Sequence, residues 1–462
     1  MNIWEHFDID HDHSHSTTLL FEKAKSKIRY SCEFCSDHWG TVVRLFKSQS
    51  DFENSDFYGG EDVVKGDPRA KIAVWPGKNN VGRDKNSYWL CAPVHPNCYS
   101  SDTEVLTNNG FKLFKDVLDS DLIFSINPKT QKMEYVPFVE RIQYPYKGGM
   151  IHFKARGFDA LVTPEHNMYF RERYRPKKQK QEIRYGILPA NHLIAKSEFT
   201  IPRTGLWEGE KSTRRERLLA MFYGWYASEG CKVRKSQISI TQHKERNYRR
   251  LWKILDKLKI VYSKGNGRFY ISGKFAEEVL RDCPGKQYER RVPEWIKTKD
   301  KSLIKCFLRE YILGDGSFRT RKCFGYDSTE ITITTSSSTM QADLVELIHK
   351  AGYSAYTWIA SEKGTISKHR NGEYSSNQDQ LAISVSKSKG VLFSNQNSSK
   401  VEYVDYDDMV YCLTLQKNHV LLFRRNGNIG WSGNCGCEIE VEETVHESVE
   451  DLEDWYSTLE WD

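Results

Sequence analysis

Residues 98–110 read CYSSDTEVLTNNG and open a long run of short apolar segments divided by turn signals. Segments such as TEVLT, LIFSI and MIHF alternate with Asn-Gly, Asn-Pro and Gly-Gly pairs, a pattern typical of strands joined by tight turns. The pattern holds to about Arg203, interrupted by the basic stretch RERYRPKKQKQEIR, and returns at about Val401. We therefore expect a mainly-β unit in two pieces, residues 98–205 and residues 396–434.

Between these pieces the apolar residues change to helical spacing. Two stretches about 86 residues apart each end in an acidic residue followed by glycine, Glu229-Gly230 and Asp315-Gly316, and strand-like sequence follows both. The apolar positions that carry the helical period are Leu218, Leu219, Phe222 and Tyr226 in the first stretch and Ile304, Phe307, Leu308, Tyr311 and Ile312 in the second. The sequence thus predicts a duplicated α+β domain, residues 206–395, inserted into the mainly-β unit.

Charge divides the chain in the same places. Residues 98–434 carry 56 basic and 37 acidic side chains, a net charge of +19, whereas the two flanks together carry 12 basic and 25 acidic side chains, a net charge of −13. Such a surplus is an electrostatic footprint for nucleic acid, with a solvated basic surface as the alternative. No apolar run approaches the roughly 18 residues that cross a bilayer, and no signal peptide is visible. We therefore expect a cytoplasmic protein, in a bacterial host cell, with reduced thiols.

The ends of the mainly-β unit carry the residues needed for a self-contained cleavage and ligation. The Cys98 thiol can attack the carbonyl of Asn97 and turn the amide into a thioester, because a thiolate is the strongest accessible nucleophile near neutral pH. Cys435 can then take over the acyl group by thiol exchange. Asn434 can cyclise through its side-chain amide and cut the chain behind itself.

Thr163 and His166 lie three residues apart in TPEHN, where His166 can donate a proton to the nitrogen that leaves in the first step. Four stretches together resemble the motifs of the intein family: CYSSDTEVLTNNG, GFDALVTPEHNMYF, VYCLTLQKNHVLLF and NGNIGWSGNC. The resemblance covers residues 98–434 and implies the horseshoe-shaped, mainly-β splicing (Hint) fold and autocatalytic protein splicing without a cofactor. It also implies that His419 assists asparagine cyclisation and that Cys412 assists the first and middle steps.

One position departs from the pattern of the family. Many inteins carry His immediately before the terminal Asn, and this chain has Gly433 there. Glycine cannot act as a general acid, so we expect cyclisation to depend on His419 or on water. We expect that step to be slower, or to be helped by a contact from Trp431 or Ser432.

FYGWYASEG at residues 222–230 and LREYILGDG at residues 308–316 resemble the paired signature of LAGLIDADG (DOD-type) homing endonucleases. A carboxylate at a helix C-terminus faces the negative end of the helix dipole, so two such acids brought together need a compensating cation. We expect Glu229 and Asp315 to bind Mg²⁺, which activates water for DNA cleavage. The resemblance implies two αββαββα halves that form a saddle over double-stranded DNA.

Two features of this domain affect its expected activity. Glu310 occupies a position of the second signature where the family usually has a small residue, as Gly224 is in the first, so we expect a looser helix contact. A basic residue is also expected near the metal. The candidates for it are Lys232, Lys235, Lys264 and Lys387. An inactive endonuclease that keeps the fold is the alternative.

Joining residues 1–97 to residues 435–462 would give a 125-residue product that reads APVHPN-CGCEIE across the junction. With YSCEFCSDHWG upstream, this product resembles the C-terminal part of Mu-type phage head-morphogenesis (minor head) proteins, which implies phage capsid or portal proteins as partners and a virion location. Four cysteines in two close pairs could bind Zn²⁺, with His95 as a substitute ligand and unliganded thiols as the alternative. These cysteines are Cys32, Cys35, Cys435 and Cys437.

Three hypotheses follow from these patterns. The first is a self-splicing intein with a homing nuclease, hosted in a phage structural protein. The second is a free-standing DNA endonuclease whose flanks are ordinary extensions. The third is a metal-binding virion component whose middle part neither splices nor cuts DNA. The placement of Cys98 and of Asn434-Cys435 inside one host motif favours the first.

Overall fold

The computed structural model describes most of the chain between residues 97 and 434 and shorter parts of the flanks. The described residues are 18–20, 22–23, 42–55, 57–58, 68–80, 83, 87–91, 97–174, 182–284, 286–323, 326–369, 372–394, 400–434 and 439–440. They form a mostly β structure of several sheets, with the longer helices between residues 214 and 350. None of the helices in this described part of the chain is both long and apolar enough to cross a membrane.

The elements follow one another along the chain in four groups. The upstream flank has β1 (Thr18–Leu20), β2 (Glu22–Lys23), β3 (Val42–Leu45), α1 (Gln49–Glu53), α2 (Pro68–Ile72) and β4 (Ala73–Val74). The first mainly-β piece has β5 (Tyr99–Ser100), β6 (Glu104–Thr107), β7 (Gly110–Leu113), a 3₁₀ turn (Phe114–Asp116), β8 (Ile123–Ile126), β9 (Met133–Val136), β10 (Phe138–Ala155), β11 (Phe158–Val162), β12 (Asn167–Tyr174), β13 (Glu182–Pro189), α3 (Ala190–Leu193) and β14 (Glu198–Pro202).

The inserted domain begins with α4 (Arg214–Glu229), β15 (Gly230–Arg234), β16 (Gln237–Thr241), α5 (Glu245–Leu258), β17 (Ser263–Gly265), β18 (Arg268–Ser272) and α6 (Lys274–Asp282). A 3₁₀ turn (Gln287–Glu289) leads to α7 (Glu294–Thr298), α8 (Lys301–Asp315), β19 (Gly316–Cys323), β20 (Tyr326–Thr335), α9 (Ser338–Lys350), β21 (Ser354–Ser361), β22 (Ile366–His369), β23 (Gly372–Ser375) and β24 (Gln380–Ser386). The chain continues with β25 (Gly390–Ser394), β26 (Lys400–Leu415), β27 (Val420–Arg425), β28 (Asn428–Gly433) and β29 (Ile439–Glu440).

A long antiparallel ribbon organises the mainly-β unit. β10 and β26 pair along almost their whole length, and β11 and β5 close them into a small barrel with an apolar interior. Within this barrel Tyr99 of β5 pairs with Tyr411 of β26. The residues that follow Cys98 therefore lie beside the strand that carries Cys412.

A second sheet runs through both the mainly-β unit and the inserted domain. Its strands are ordered β19-β20-β24-β21-β28-β27-β6-β8-β9, with β7 on β6. The two parts meet where Tyr356 of β21 pairs with Asn428 of β28, and the Thr357 N–H donates to the Gly427 carbonyl at 2.9 Å. Buried apolar side chains from both parts, Trp431 among them, form one core. Residues 206–395 are thus packed against the strand that leads to Asn434.

The helices α4 and α8 begin with side-chain caps and pack against each other. In α4 the Thr213 hydroxyl accepts the Glu216 N–H and the Glu216 carboxylate accepts the Thr213 N–H, a capping box. In α8 the Asp300 carboxylate accepts two N–H groups of the first turn. The close helix contact requires Gly224, since a Cβ there would lie 2.6 Å from the Phe307 carbonyl oxygen.

Glu310 is fully buried in this helix contact. Its carboxylate accepts hydrogen bonds from Trp225 Nε1 at 2.9 Å and from Arg250 Nε and Nη2 at 2.5 and 2.6 Å. A bidentate arginine partner supplies the charge that a buried carboxylate needs. The expectation that Glu310 loosens the helix contact is therefore wrong. Gly224 leaves room for the Glu310 Cβ, and Arg250 balances the charge of the Glu310 carboxylate.

Candidate functional site

Thr163 holds the backbone on both sides of Cys98. The Cys98 N–H, which belongs to the Asn97–Cys98 peptide bond, donates to the Thr163 hydroxyl at 3.0 Å. The Thr163 N–H in turn donates to the Cys98 carbonyl at 3.0 Å. Cys98 and Thr163 are both fully buried. The Asn97–Cys98 peptide bond is therefore held at the end of β11.

The Cys98 thiol lies in the barrel interior. Burial raises its pKa well above the usual range, and the nearby Cys412 raises it further. The thiol donates to the Tyr144 hydroxyl at 3.4 Å, and this contact and the Asn97 backbone offset part of the rise in pKa. Cys98 is therefore a neutral thiol near pH 7, and a base must take its proton before it can act as a nucleophile.

His166 is fully buried beside the same peptide bond. Its Nε2 lies 3.1 Å from the Ser432 hydroxyl, and its ring meets the Tyr99 ring edge-on at 4.3 Å. Burial lowers the pKa of His166 to about 4, and the Asn97 backbone raises it in part. The imidazole is therefore neutral near pH 7 and has one nitrogen that donates and one that accepts.

Asn434 is fully buried and held on both sides of its own peptide unit. Its backbone N–H donates to the His419 carbonyl at 3.1 Å, and its side-chain Nδ2 donates to the Leu413 carbonyl at 2.6 Å. Its carbonyl oxygen accepts a hydrogen bond from Asn167 Nδ2 at 3.0 Å. Among the described residues, nothing hydrogen-bonds to the buried Oδ1 of Asn434.

The chain around Cys98 and the chain around Asn434 meet in one place. The Tyr99 hydroxyl, one residue after Cys98, donates to the Gly433 carbonyl at 2.6 Å, one residue before Asn434. Cys412 is fully buried next to Leu413, whose carbonyl accepts the Asn434 side chain. Cys98, Thr163, His166, Cys412 and Asn434 are thus assembled around one site.

His419 lies at the edge of this assembly. It is half-buried and has a left-handed backbone with φ of 51°. The His419 backbone carbonyl accepts the hydrogen bond from the Asn434 N–H. Cys435 lies outside the described residues.

Gly433 has no room for a side chain. A Cβ there would lie 2.8 Å from the Asn167 Cβ and closer still to the Asn167 carbonyl oxygen. Successive residues of β28 alternate, so Ser432 faces His166 while Trp431 packs against Phe124 in the core shared with the inserted domain. Of the two contacts expected to help cyclisation, Ser432 is at the site and Trp431 is turned away from it.

A second constellation lies at the C-terminal ends of α4 and α8. Burial and the charge of Glu229 raise the pKa of Asp315 to about 7, and burial also raises the pKa of Glu229. The helix ends are close because Gly314 lacks a side chain: a Cβ there would lie 2.7 Å from the Ser228 Cβ. The structure therefore brings together the two acids that the paired sequence signature singled out.

Arg290 is a basic residue at this carboxylate pair, where Lys244 also lowers the pKa of Glu229. Its guanidinium donates to the Ala227 carbonyl at 2.9 Å and to the Gly230 carbonyl, and its charge lowers the pKa of Asp315. Sequence reasoning missed Arg290, because it lies 60 residues from Gly230 and no motif marks it. Lys264 instead lies over the Trp252 ring at 5.2 Å, and Lys232 and Lys235 are exposed.

The donor set at this pair fits Mg²⁺. Both carboxylates are partly buried and have raised pKa values, and Mg²⁺ is commonly held by one or two carboxylates together with substrate phosphates. A cluster of three or more His, Cys, Asp or Glu side chains suited to a metal is not found within the described residues. Any metal here would therefore need ligands from nucleic acid or water.

A groove of about 2270 Å³ runs along α8, the sheet of β19, β20, β24 and β21, and the turn after β10. Its basic lining residues are Arg156, Arg203, Lys305, Arg309, Arg319 and Lys387, and it also contains Phe318, Tyr356 and Trp358. Basic side chains interleaved with aromatic rings suit a nucleic-acid backbone and its bases. Lys387, one of the candidate lysines, belongs to this groove.

The cysteine set of the flanks is not part of the described structure. Cys32, Cys35, Cys435 and Cys437, together with His95, lie outside the described residues. The zinc site expected from their spacing therefore stays a prediction.

Comparison with known sequences gives distant relatives, and no family model matches the chain. It is 21% identical over 397 residues to the DNA-directed RNA polymerase subunit beta C-terminal section of Stigeoclonium helveticum, covering 73% of this chain and 36% of that protein. It is 22% identical over 258 residues to the ATP-dependent Clp protease proteolytic subunit of Chlamydomonas moewusii, covering 48% and 25%. It is 20% identical over 382 residues to the ribonucleoside-diphosphate reductase subunit beta of Aquifex aeolicus (strain VF5), covering 73% and 50%. The chain thus spans between a quarter and half of the length of these relatives.

Solved structures that resemble the chain include two kinds of protein. A splice-inactive variant of the AceL NrdHF class 3 split intein is 8% identical, with 73% of this chain and 98% of that chain covered and a TM-score of 0.25. The N-terminal LAGLIDADG domain of WhiA is 16% identical, with 37% and 76% covered and a TM-score of 0.23. The endonuclease I-DmoI in complex with DNA and Ca is 13% identical, with 38% and 85% covered and a TM-score of 0.25.

Proposed function

We propose that residues 98–434 are a self-splicing intein that excises itself and joins residues 1–97 to residues 435–462. The observation that carries this proposal is the single buried site that contains Cys98, Thr163, His166 and Asn434. Cys98 and Asn434 stand at the two ends of the segment that would be excised, and splicing requires both ends to react in one place.

In the first step the Cys98 sulfur attacks the Asn97 carbonyl carbon, the Asn97–Cys98 C–N bond breaks, and the thiol proton ends on the freed Cys98 nitrogen. A neutral His166 can accept the thiol proton and deliver a proton to the leaving nitrogen, so one ring serves both movements. Thr163 holds the leaving nitrogen by its N–H during this step. Cys412, fully buried near Cys98, is placed to influence the thiol.

In the later steps Cys435 takes over the acyl group by attack on the thioester, and Cys98 leaves as a thiol. Asn434 Nδ2 then attacks the Asn434 carbonyl carbon and releases the amine of Cys435. The remaining thioester rearranges to a peptide bond through attack of that amine. His419 holds the Asn434 backbone for this step through its carbonyl.

The distant relatives offer separate support. They are named for three enzymes with different activities, and the chain matches only a quarter to a half of each. An element that inserts into unrelated host proteins and later excises itself would appear as a segment shared by proteins of different activity.

The experiment that tests splicing separates its two cleavages. In an Asn434→Ala chain, dithiothreitol should release residues 1–97 by cutting the thioester at Cys98. In a Cys98→Ala chain, the bond after Asn434 should break without added thiol. A Cys283→Ala chain is the matched control, because Cys283 is a buried thiol of the inserted domain that takes no part in the reaction. Absence of both cleavages would contradict the proposal.

We also propose that the inserted domain is an Mg²⁺-dependent double-strand DNA endonuclease for homing. The supporting observation is the pair Glu229 and Asp315, with raised pKa values, beside Arg290 at the base of two closely packed helices. Glu229 and Asp315 would hold Mg²⁺, which supplies an activated water and charge stabilisation for phosphodiester hydrolysis. The Arg290 guanidinium lies beside the pair and lowers the pKa of Asp315, and the basic groove offers a surface for the duplex.

Plasmid cleavage tests this second function. The substrate is a supercoiled plasmid that carries the coding sequence of residues 1–97 fused directly to that of residues 435–462. Linear product should form with Mg²⁺ and be absent with EDTA or in an Asp315→Asn chain. An exposed acid on a neighbouring helix, Glu245, provides the control variant Glu245→Gln. Cleavage by the Asp315→Asn chain equal to that of the parent chain would contradict the assignment of the metal site.

We further propose that the spliced 125-residue product is a phage head-morphogenesis protein that meets capsid or portal proteins. The support is the sequence HPNCGCEI that splicing would create beside YSCEFCSDHWG. Zinc analysis of the purified spliced product tests the ligand set: one zinc per chain is expected, and none would leave the four thiols unliganded.

A further inference from the structure

The carbonyl oxygen of Asn434 is where negative charge develops when the asparagine cyclises. In the structure it accepts a hydrogen bond from Asn167 Nδ2 at 3.0 Å. A carbonyl oxygen can only accept, so the amide NH₂ of Asn167 faces it. A donor aimed at this oxygen is therefore in place before the reaction begins.

Asn167 also fills the space beside Gly433. A Cβ at Gly433 would lie 2.8 Å from the Asn167 Cβ. Asn167 is the first residue of β12, and its position is fixed by pairing with Pro189. Asn167 thus occupies the space that a side chain at residue 433 would need.

The attacking group is held separately. The Asn434 Nδ2 donates to the Leu413 carbonyl at 2.6 Å, and the Asn434 N–H donates to the His419 carbonyl at 3.1 Å. These two contacts fix the side chain and the backbone that must approach each other. The Asn167 amide then acts on the third participant, the carbonyl that is attacked.

We propose that Asn167 is a catalytic residue of asparagine cyclisation, in which its Nδ2–H stabilises the oxyanion on Asn434 and supplies the polar contact that Gly433 cannot. The inference rests on the proposed splicing function. In the step, a bond forms between Asn434 Nδ2 and the Asn434 carbonyl carbon, and the bond from that carbon to the Cys435 nitrogen breaks. One proton leaves Nδ2 and one reaches the Cys435 nitrogen, so the charge balance is unchanged. Asn167 keeps its own protons throughout.

The test uses the full-length chain with Cys98→Ala, in which only the cleavage after Asn434 can occur. Asn167→Ala removes the donor, and Asn167→Asp keeps the shape but replaces the donor by an acceptor. Loss of one such donor typically slows acyl chemistry about 100-fold, so both variants should cleave about 100-fold more slowly. Asn247→Ala is the matched control, because its buried amide donates to the Leu313 carbonyl at 3.2 Å in the inserted domain.

A second measurement distinguishes catalysis from folding. In the Asn434→Ala chain, dithiothreitol cleavage at Cys98 should stay within about 3-fold when Asn167 is replaced, since the donor does not touch the upstream peptide bond. Equal rates after Asn434 in the parent and in Asn167→Ala would overturn the role of Asn167. A matching fall at both junctions would also overturn it, because it would indicate a structural role. Failure of the parent chains to cleave at all would instead refute the splicing function itself.

Discussion

Replacing Gly433 by alanine or histidine tests the packing of the downstream junction. The family resemblance suggests that Gly433→His would restore a missing general acid and speed the last step. The structure predicts the opposite, because a Cβ at residue 433 would lie 2.8 Å from the Asn167 Cβ and closer to its backbone oxygen. Backbone must move to relieve this overlap, at a cost of about 1–3 kcal/mol for overpacking. The movement would also disturb the 2.6 Å bond from Tyr99 to the Gly433 carbonyl.

The assay follows cleavage after Asn434 by intact mass in a Cys98→Ala chain, together with urea unfolding. We expect both Gly433 variants to cleave at least about 10-fold more slowly, which corresponds to roughly 1.4 kcal/mol in the activation free energy. Gly149→Ala is the control, since the nearest atom to its Cβ lies 3.8 Å away on Tyr403. Faster cleavage by Gly433→His with unchanged stability would refute the steric argument.

Three further predictions concern charged and titratable groups. Burial raises the pKa of Asp315 to about 7, so the folded state holds a proton that the unfolded state loses near pH 4, and this group makes folding less favourable as pH rises from about 4 to about 7. Urea unfolding in EDTA should show Asp315→Asn more stable than the parent at pH 8, by at most about 4 kcal/mol, and equal to it at pH 4. A parent that becomes more stable relative to Asp315→Asn as pH rises would contradict this. Glu310→Ala leaves the Arg250 guanidinium without its carboxylate and should lower the free energy of unfolding by roughly 3 kcal/mol, whereas an unchanged urea midpoint would mean that the buried pair contributes nothing. Because the pKa of His166 is about 4, dithiothreitol cleavage of the Asn434→Ala chain should show no inflection near pH 6.5, and one at that pH would place the histidine in an ordinary environment.

Local patterns singled out the residues to which the splicing proposal gives roles. Cys98, the Thr163 and His166 pair and Asn434 each lie in a short stretch whose chemistry can be written without knowing the fold. The two acids of the inserted domain were visible for the same reason, because each follows a helical period and precedes a glycine. The structure brings the members of each set together, which their order in the sequence alone does not predict.

Contacts between distant segments were beyond the sequence. Arg290 approaches the carboxylate pair only because its guanidinium caps the end of α4, 60 residues earlier. The sequence predicts that Glu310 weakens the helix contact, since it does not show that Arg250, on another helix, pairs with this carboxylate. Asn167 follows His166 directly in TPEHN, but nothing in the sequence places it beside Gly433.

The continuous sheet is a further property that periodicity does not encode. The sequence predicts strands after each of the two acidic helix ends and again from about Val401, but not that Tyr356 of β21 and Asn428 of β28 pair. This pairing depends on how the inserted domain folds back onto the mainly-β unit. It makes the insertion part of the same packed structure as the strand that leads to Asn434.

The most direct test of the central claim is the intact mass of the purified chain beside a Cys98→Ala, Asn434→Ala double variant, under reducing conditions over several days. We predict that the wild-type chain converts into a 337-residue fragment ending in a succinimide and a joined 125-residue product, while the double variant keeps its single full-length mass. A single unchanged mass of 53.9 kDa in both samples would contradict splicing and leave the endonuclease as the function of the middle of the chain.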